Sequence, residues 1–301
     1  MMRKSRQFYL ITLLWDVIIF PRDIVRQYTD VKQGCFVPLE QKTMNLQFSS
    51  QYFVVGGAGS GFGRAIVESL ANEGAHVLAV SRTLSKLESL ALAYPDQVEC
   101  LAVNLMENDA HEQILDWVEK NGASGIVFNA GGPPAGGFQE LTMNQWDDAY
   151  QVVLRWKIAL AQKVLPYFKQ KGYGRLLFIE SVSVKQPVKN LVLSNAMRAA
   201  VVGAVKSLAQ EVAGDGITAN LLAPGYHRTA AMERLFVKKS EVAGISLEQA
   251  SHEFEKEIPV GSMGKPEEMA SLALWLLSPL SRYVTGQTLS HDGGLITGIF
   301  G

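Results

Sequence analysis

The chain carries Tyr52-Phe53-Val54-Val55-Gly56-Gly57-Ala58-Gly59-Ser60-Gly61-Phe62-Gly63, a buried strand that runs into a glycine-rich turn. A helical pattern follows from Arg64 to Asn72. Glycines at such a turn let backbone N–H groups approach a pyrophosphate, and the start of the helix adds the positive end of its dipole. Because the spacing is G-x-x-x-G-x-G rather than G-x-G-x-x-G, the turn favours a nucleotide site over a packing turn without deciding between them.

Apolar runs of strand length alternate with helical patterns through the rest of the chain. Continuous apolar strands separated by helices indicate a parallel sheet that is covered on both faces. No proline-rich linker or repeat interrupts the pattern. The sequence therefore predicts an α/β fold, a Rossmann-type doubly wound parallel sheet in a single domain over residues 44–301. Its strands are expected at residues 52–55, 76–80, 98–103, 126–128, 176–179, 218–222 and 288–289.

Residues 1–43 are interpreted as an appendage to this domain. A basic start and a mostly apolar run from Phe8 to Phe20 resemble a secretion signal. However, Asp16 interrupts the run, no small-residue cleavage site follows, and the run is too short to cross a bilayer as a helix. Two interpretations stay open: upstream sequence translated from a misplaced start before Met44, or a short anchor for a membrane or a partner.

The composition narrows the class of protein. A formal net charge of -1 gives no basic footprint for nucleic acid. The two cysteines, Cys35 and Cys100, have neither metal-ligand spacing nor a disulfide framework, which favours a reducing compartment. We therefore expect a cytoplasmic protein with no metal, no nucleic-acid partner and no membrane association of the folded domain.

The residues after the second predicted strand bear on the choice of cofactor. Ser81 and Arg82 stand where an NAD site usually carries the Asp or Glu that binds the ribose 2′-hydroxyl. A carboxylate would repel a 2′-phosphate, whereas a guanidinium would bind it. The sequence therefore favours NADP(H), the alternative being that Arg82 is an ordinary solvated arginine.

Five elements, in the right order between about Gln51 and Gly294, resemble the short-chain dehydrogenase/reductase family and its 3-oxoacyl-(acyl-carrier-protein) reductase branch. The resemblance implies an oxidoreductase that acts on a small-molecule carbonyl or alcohol and that assembles as a homodimer or homotetramer. The elements are the glycine turn, Asn129-Ala130-Gly131, Ser181, the N-x-x-x-P-G-x-x-x-T segment from Asn220 to Thr229, and Gly286-Gln287 with Asp292-Gly293-Gly294.

The resemblance also implies roles for matched positions. Ser181 falls on the catalytic serine, and residues 226–264 would form a substrate lid, although the apolar residues of that segment could equally cover the core. The residues expected to bind the cofactor are Gly57, Ser60, Gly61, Phe62, Gly63, Ser81, Arg82, Asn104, Leu105, Asn129, Ala130, Gly131, Arg198, Pro224, Gly225 and Thr229.

Three catalytic positions depart from the family pattern. The tyrosine expected 13 residues after Ser181 is Ser194, the lysine four residues further on is Arg198, and the asparagine of the preceding helix is Val153. A serine hydroxyl is a far weaker acid than a tyrosine, and an arginine stays protonated. We therefore expect either an oxidoreductase with an atypical catalytic set of Ser181, Ser194 and Arg198, or a cofactor-binding sensor, scaffold or partner subunit without ordinary reductase activity.

Other side chains are candidates for the missing proton donor. Tyr226 and His227 lie in a loop expected to face the nicotinamide, and His227 would titrate near neutrality. Glu180 and Lys185 flank the catalytic serine position. A Y-x-x-x-K pattern at residues 167–171 precedes the serine instead of following it, and we interpret it as a coincidence.

Overall fold

The computed structural model describes residues 45–299 of the chain, apart from the side chain of Lys238. The predicted appendage at residues 1–43, and with it Cys35, lies outside the described residues.

A seven-stranded parallel sheet confirms the predicted doubly wound α/β fold. The strand order is β3-β2-β1-β4-β5-β6-β7, so the direction of winding reverses between β1 and β4. In such sheets the crevice at that reversal, at the carboxyl ends of the strands, is where ligands bind. The strands are β1 (Tyr52–Gly56), β2 (His76–Ser81), β3 (Val98–Ala102), β4 (Gly125–Phe128), β5 (Gly174–Ile179), β6 (Ile217–Pro224) and β7 (Thr288–His291).

Helices cover both faces of the sheet, because strands β1 to β6 contribute apolar side chains to two separate cores. Ile66 and Met269 belong to the core on one face, and Ile114, Val164 and Val205 belong to the core on the other. The helices are α1 (Gly61–Asn72), α2 (Ser85–Ala93), α3 (Asn108–Asn121), α4 (Met143–Ala149), α5 (Trp156–Lys171), α6 (Val192–Val212), α7 (Ala230–Ala243), α8 (Leu247–Glu255) and α9 (Pro266–Leu277).

A π-helical turn, Tyr150–Arg155, joins α4 to α5. Turns of this kind insert one extra residue into a helix and are frequent at functional sites. Val153 lies in this turn and is buried, so the position of the family's asparagine carries an apolar side chain inside the core.

The predicted lid segment contains α7 and α8 and has a small apolar cluster of its own. Met232, Ile258 and Met263 form this cluster, with Phe236 and Phe254 packed against it. Since the cluster is separate from both sheet cores, the segment has packing of its own, and its role as a lid stays a prediction.

Within residues 45–299, no helix combines the length and the apolar character that a bilayer span requires.

Candidate active site

A cavity of about 520 Å³ opens at the carboxyl ends of the central strands, around the reversal between β1 and β4. Most of the residues predicted to bind the cofactor line it, although they come from widely separated parts of the chain. These lining residues are Gly57, Ser60, Gly61, Phe62, Ser81, Arg82, Asn104, Leu105, Asn129, Ala130, Gly131, Arg198 and Thr229.

Five other predicted residues do not belong to this lining: Gly63, Ser181, Ser194, Pro224 and Gly225. A Cβ atom at position 63 would lie 2.3 Å from the carbonyl oxygen of Gly57, so this glycine permits the close contact between the helix and the turn. Pro224 ends β6, and Gly225 packs against Asp292. Ser194 reaches the wall of the cavity indirectly, through Arg198.

The glycine turn presents free backbone donors to the cavity. Gly57 and Gly61 adopt positive φ angles of 62° and 55°, which a glycine reaches without strain. Ser60 is the N-cap of α1, and its side chain makes no capping hydrogen bond. The first N–H groups of α1 therefore remain available at the positive end of the helix dipole, as a phosphate-binding site requires.

Asn129 holds this turn against β4. Its side-chain Nδ2 donates to the carbonyl oxygen of Gly56 at 3.2 Å, across the point where the sheet reverses. Thr229 has a comparable role at the other wall, where its hydroxyl accepts from the backbone N–H of Met232 and caps α7. Both side chains thus shape the cavity as turn and cap residues.

One end of the cavity is cationic. Arg82 and Lys86 line it, are exposed to solvent, and have no ion pair within the described part of the chain. Arg234, on the first turns of α7, lines the same cavity and is also exposed and without an ion pair there. Sequence reasoning missed Lys86 and Arg234, because nothing local distinguishes either from an ordinary helix-surface cation. Among the described lining residues Glu180 is the only acidic one.

The opposite end holds a buried charged network that connects four side chains. Arg198 Nη1 donates to Glu180 Oε2 at 2.8 Å, and Arg198 Nε donates to Ser194 Oγ at 3.1 Å. Lys157 Nζ donates to the other carboxylate oxygen, Glu180 Oε1. The exposed fractions of the Lys157, Glu180 and Arg198 side chains are 3%, 0% and 12%. Burial lowers the pKa of Lys157, and the carboxylate of Glu180 opposes that shift.

Sequence reasoning singled out three members of this network and missed Lys157. Its only sequence signal is a lysine between apolar neighbours, Trp156 and Ile158, in a helix of the core.

Ser181 lies two residues after the end of β5, as predicted, and begins a short 3₁₀ turn (Val182–Val184). Its hydroxyl oxygen accepts from the backbone N–H of Ser183 at 3.2 Å. That bond uses a lone pair of the oxygen, so the hydroxyl hydrogen of Ser181 is still available as a donor.

Tyr226 and His227 do not face the cavity, in contrast to the prediction. Both line a second cavity, beside His291 and Asp292. Burial raises the pKa of Tyr226 to about 12, with a further contribution from Glu257, which accepts from its hydroxyl at 3.2 Å. Tyr226 is therefore a weaker acid than an ordinary tyrosine.

His227 is buried and tied into its own surroundings. Its Nδ1 lies 3.0 Å from the carbonyl oxygen of Gly225, and its Nε2 lies 2.9 Å from Nδ1 of His291. Burial lowers the pKa of His227, and His291 contributes in the same direction. His227 turns toward the end of β7 because it pairs with His291, 64 positions further along the chain, and Tyr226 turns toward Glu257.

The Y-x-x-x-K pattern lies at the amino-terminal edge of the sheet, opposite the cavity. Tyr167 donates to the carbonyl oxygen of Ala123, and Lys171 donates to that of Gly122, both of which precede β4. This placement agrees with its interpretation as a coincidence. In the described part of the chain no group of His, Cys, Asp and Glu side chains is arranged to hold a metal ion.

Comparison with known proteins agrees with this architecture. Residues 57–296 match the family model described as enoyl-(acyl carrier protein) reductase. The chain is 30% identical over 256 residues to the 3-oxoacyl-(acyl-carrier-protein) reductase FabG of Thermotoga maritima, and the alignment covers 83% of this chain and 100% of that protein.

Two solved structures are similar over their full length. L-sorbose reductase of Gluconobacter frateurii, complexed with NADPH and L-sorbose, aligns with a TM-score of 0.80 at 26% identity, covering 85% of this chain and 100% of the other. YwfH, an NADPH-dependent reductase involved in bacilysin biosynthesis, aligns with a TM-score of 0.78 at 26% identity, covering 83% of this chain and 100% of the other.

Proposed function

The chain belongs to the short-chain dehydrogenase/reductase family, and on that premise we propose that it is an NADP(H)-dependent oxidoreductase of the 3-oxoacyl reductase type with an atypical active site. Its substrate would be a small-molecule carbonyl or alcohol. The observation that carries the proposal is one cavity with a free helix start, two unpaired cations at one end and the Ser194–Arg198 pair at the other. NADPH-dependent reductases among its structural neighbours support the same conclusion.

The cofactor would be held by two separate anion sites. Arg82 and Lys86 would bind the 2′-phosphate, because they are exposed, unpaired cations with no lining carboxylate beside them. The backbone N–H groups at the start of α1 would bind the pyrophosphate. A bound nicotinamide dinucleotide supplies the hydride that the protein itself cannot provide.

At the reacting end, the chain's own residues would polarise the carbonyl and supply positive charge. The hydroxyl of Ser181 keeps a free hydrogen, and Arg198 supplies a guanidinium cation. Arg198 Nε donates to Ser194 Oγ, so the hydrogen of the Ser194 hydroxyl must point elsewhere and is free to donate to a developing alkoxide. A serine is a poor acid, which predicts slow turnover.

A second candidate function follows from a specific observation. No tyrosine or histidine lies among the described residues that line the cavity. A protein with this lining would bind the dinucleotide at full strength and act as a sensor, scaffold or partner subunit without ordinary reductase activity.

The two candidates are separated by mixing purified protein with NADPH and a panel of ketones that includes 3-oxoacyl thioesters, while NADPH absorbance is followed. The oxidoreductase proposal expects slow, protein-dependent NADPH oxidation with at least one carbonyl, and a loss of that oxidation in Ser181→Ala. Saturable NADPH binding without turnover across the panel would support the second candidate instead.

The proposal also covers the cellular compartment and the oligomeric state of the protein. A reducing cytoplasm is supported by Cys100, which is a free thiol. A homodimer or homotetramer is carried over from the family resemblance, with residues 146–163 and 194–212 as the expected contact helices. Light scattering on the native protein measures this directly, and a monomer at micromolar concentration would contradict it.

A further inference from the structure

Lys157 is a buried cation that does not itself line the cavity, yet it is bonded to a residue that does. We propose that Lys157 is a positioning residue which, through Glu180, keeps Arg198 oriented toward Ser194 and toward the cofactor. The inference rests on the proposed function, because Arg198 is assigned there to the reacting end of the cavity.

Packing alone does not require a charge at this position. Lys157 lies on the same face of α5 as Leu160, Ala161 and Val164, all of which are buried. An apolar side chain of similar volume would fill that place, and a buried ion pair rarely stabilises a fold more than well-packed apolar residues do. The charge of Lys157 therefore calls for a role other than filling the core.

The two oxygens of Glu180 are divided between two cations. Lys157 occupies Oε1, and Arg198 Nη1 occupies Oε2. A carboxylate beside a guanidinium tends to pair with it through two parallel bonds, one from each oxygen. Lys157 competes with Arg198 for Oε1, and Glu180 accepts one bond from Arg198, at Oε2. The Nε and Nη2 donors of Arg198 are therefore not used by Glu180.

The proposed active site uses the Nε and Nη2 donors of Arg198. Arg198 Nε donates to Ser194 Oγ, and Arg198 Nη2 lies beside Gly132 at the cavity wall, 3.2 Å from where a Cβ atom of that residue would be. The guanidinium is planar and rigid, so a rotation that paired it doubly with Glu180 would move all its donors at once. Lys157 also offsets the charge of Glu180, so the two cations and one carboxylate together keep one net positive charge for a ligand.

The test compares the binding of two probes to the full chain by calorimetry. Adenosine 2′,5′-bisphosphate reaches only the Arg82 end of the cavity, whereas NADP⁺ extends to Arg198. In Lys157→Met we expect NADP⁺ to bind about tenfold more weakly, while adenosine 2′,5′-bisphosphate binds as it does to the native protein. Lys163→Met is the matched control, since it removes a partly exposed lysine from the same helix, and it should change neither affinity.

A double-mutant cycle separates positioning from a general loss of structure. If Lys157 acts through Arg198, the loss in NADP⁺ affinity caused by Lys157→Met disappears in an Arg198→Met background. Lys157→Arg keeps a cation beside Glu180 Oε1 and should restore NADP⁺ affinity to within about threefold of native. Should Lys157→Met not fold, Lys157→Gln replaces it, with the same expected loss of NADP⁺ affinity, and unchanged affinity there would overturn the inference.

Three results would overturn the inference: equal weakening of both probes in Lys157→Met, the full loss persisting in the Arg198→Met background, or unchanged NADP⁺ affinity in a folded Lys157→Met. A native protein that binds neither probe would instead overturn the proposed function, so the two failures are distinguishable.

Discussion

The two ends of the cavity differ in whether their charged side chains are paired within the protein. At the cationic end, Arg82 and Lys86 are exposed and have no carboxylate partner within the described residues. At the reacting end, Glu180 and Lys157 are buried and fully paired, and Arg198 is committed to two neighbours. Arg82 and Lys86 thus depend on a ligand to supply the opposite charge. The side chains around Glu180, in contrast, are already paired and held in place before a ligand binds. Affinity and chemistry should therefore respond to different substitutions.

The largest expected effect is the destabilisation caused by Glu180→Ala. The substitution leaves Lys157 and Arg198 as buried cations without a counter-charge, which costs about 3–5 kcal/mol of unfolding free energy. Urea unfolding measures it. The matched control is Glu112→Ala, which breaks the ion pair to Lys163 on the surface and should cost about 1 kcal/mol or less. Similar losses of unfolding free energy in both variants would show that the buried network stabilises the fold no more than a surface ion pair does.

Charge reversal at the other end should change affinity and leave stability intact. Arg82→Asp removes a charge-assisted bond and adds repulsion, so NADPH should bind about 100-fold more weakly. NADH, which lacks the 2′-phosphate, should lose no more than about threefold, and the midpoint of urea unfolding should not change. Calorimetric titration of both dinucleotides decides this, and an equal loss for NADH and NADPH would refute the 2′-phosphate site.

Restoring the family's residues at the reacting end should raise turnover. In Ser194→Tyr with Arg198→Lys, a phenol would replace the weaker serine acid, and we expect at least about tenfold faster NADPH oxidation. The matched control is Ser194→Phe with Arg198→Lys, which has the ring without its hydroxyl. No gain over this control would show that position 194 does not face the reacting carbon.

The smallest expected effect is on the pH dependence of stability, and it comes from His227, which lies at neither end of the cavity. Burial lowers the pKa of His227, so the unfolded chain takes up a proton more readily than the native state. The contribution of His227 to stability is therefore complete above about pH 6.5 and is lost as the pH falls through its native pKa.

His227→Gln should reduce the acid sensitivity of unfolding between pH 7 and pH 5 by less than about 1 kcal/mol. NADP⁺ affinity should stay unchanged, because His227 does not line the first cavity. Burial also lowers the pKa of His111, so part of the acid sensitivity should remain in the variant. A loss of NADP⁺ affinity in His227→Gln would show that the loop after β6 acts on the cofactor after all.

The sheet could be predicted from sequence because its strands are continuous apolar runs, and all seven lie within two residues of their predicted bounds. The glycine turn could also be predicted from sequence. The structure explains its last glycine, because the helix could not approach Gly57 with a side chain at position 63. Both features depend on residues that are close together in the chain.

Features that join distant residues could not be predicted. The bond from Lys157 to Glu180 crosses from α5 to the end of β5, and no local pattern indicates that this lysine points inward. The same limit explains the wrong expectation for His227, whose partner, His291, lies on β7. Side-chain direction in a loop is decided by what the loop packs against, which the sequence does not display.

Calorimetric titration of the native protein with NADPH, and separately with NADH, tests the dinucleotide site most directly. We predict saturable heat with one NADPH per chain, thermal protection by NADPH, and clearly weaker binding of NADH. Neither heat nor thermal protection with either dinucleotide would contradict the assignment of the cavity.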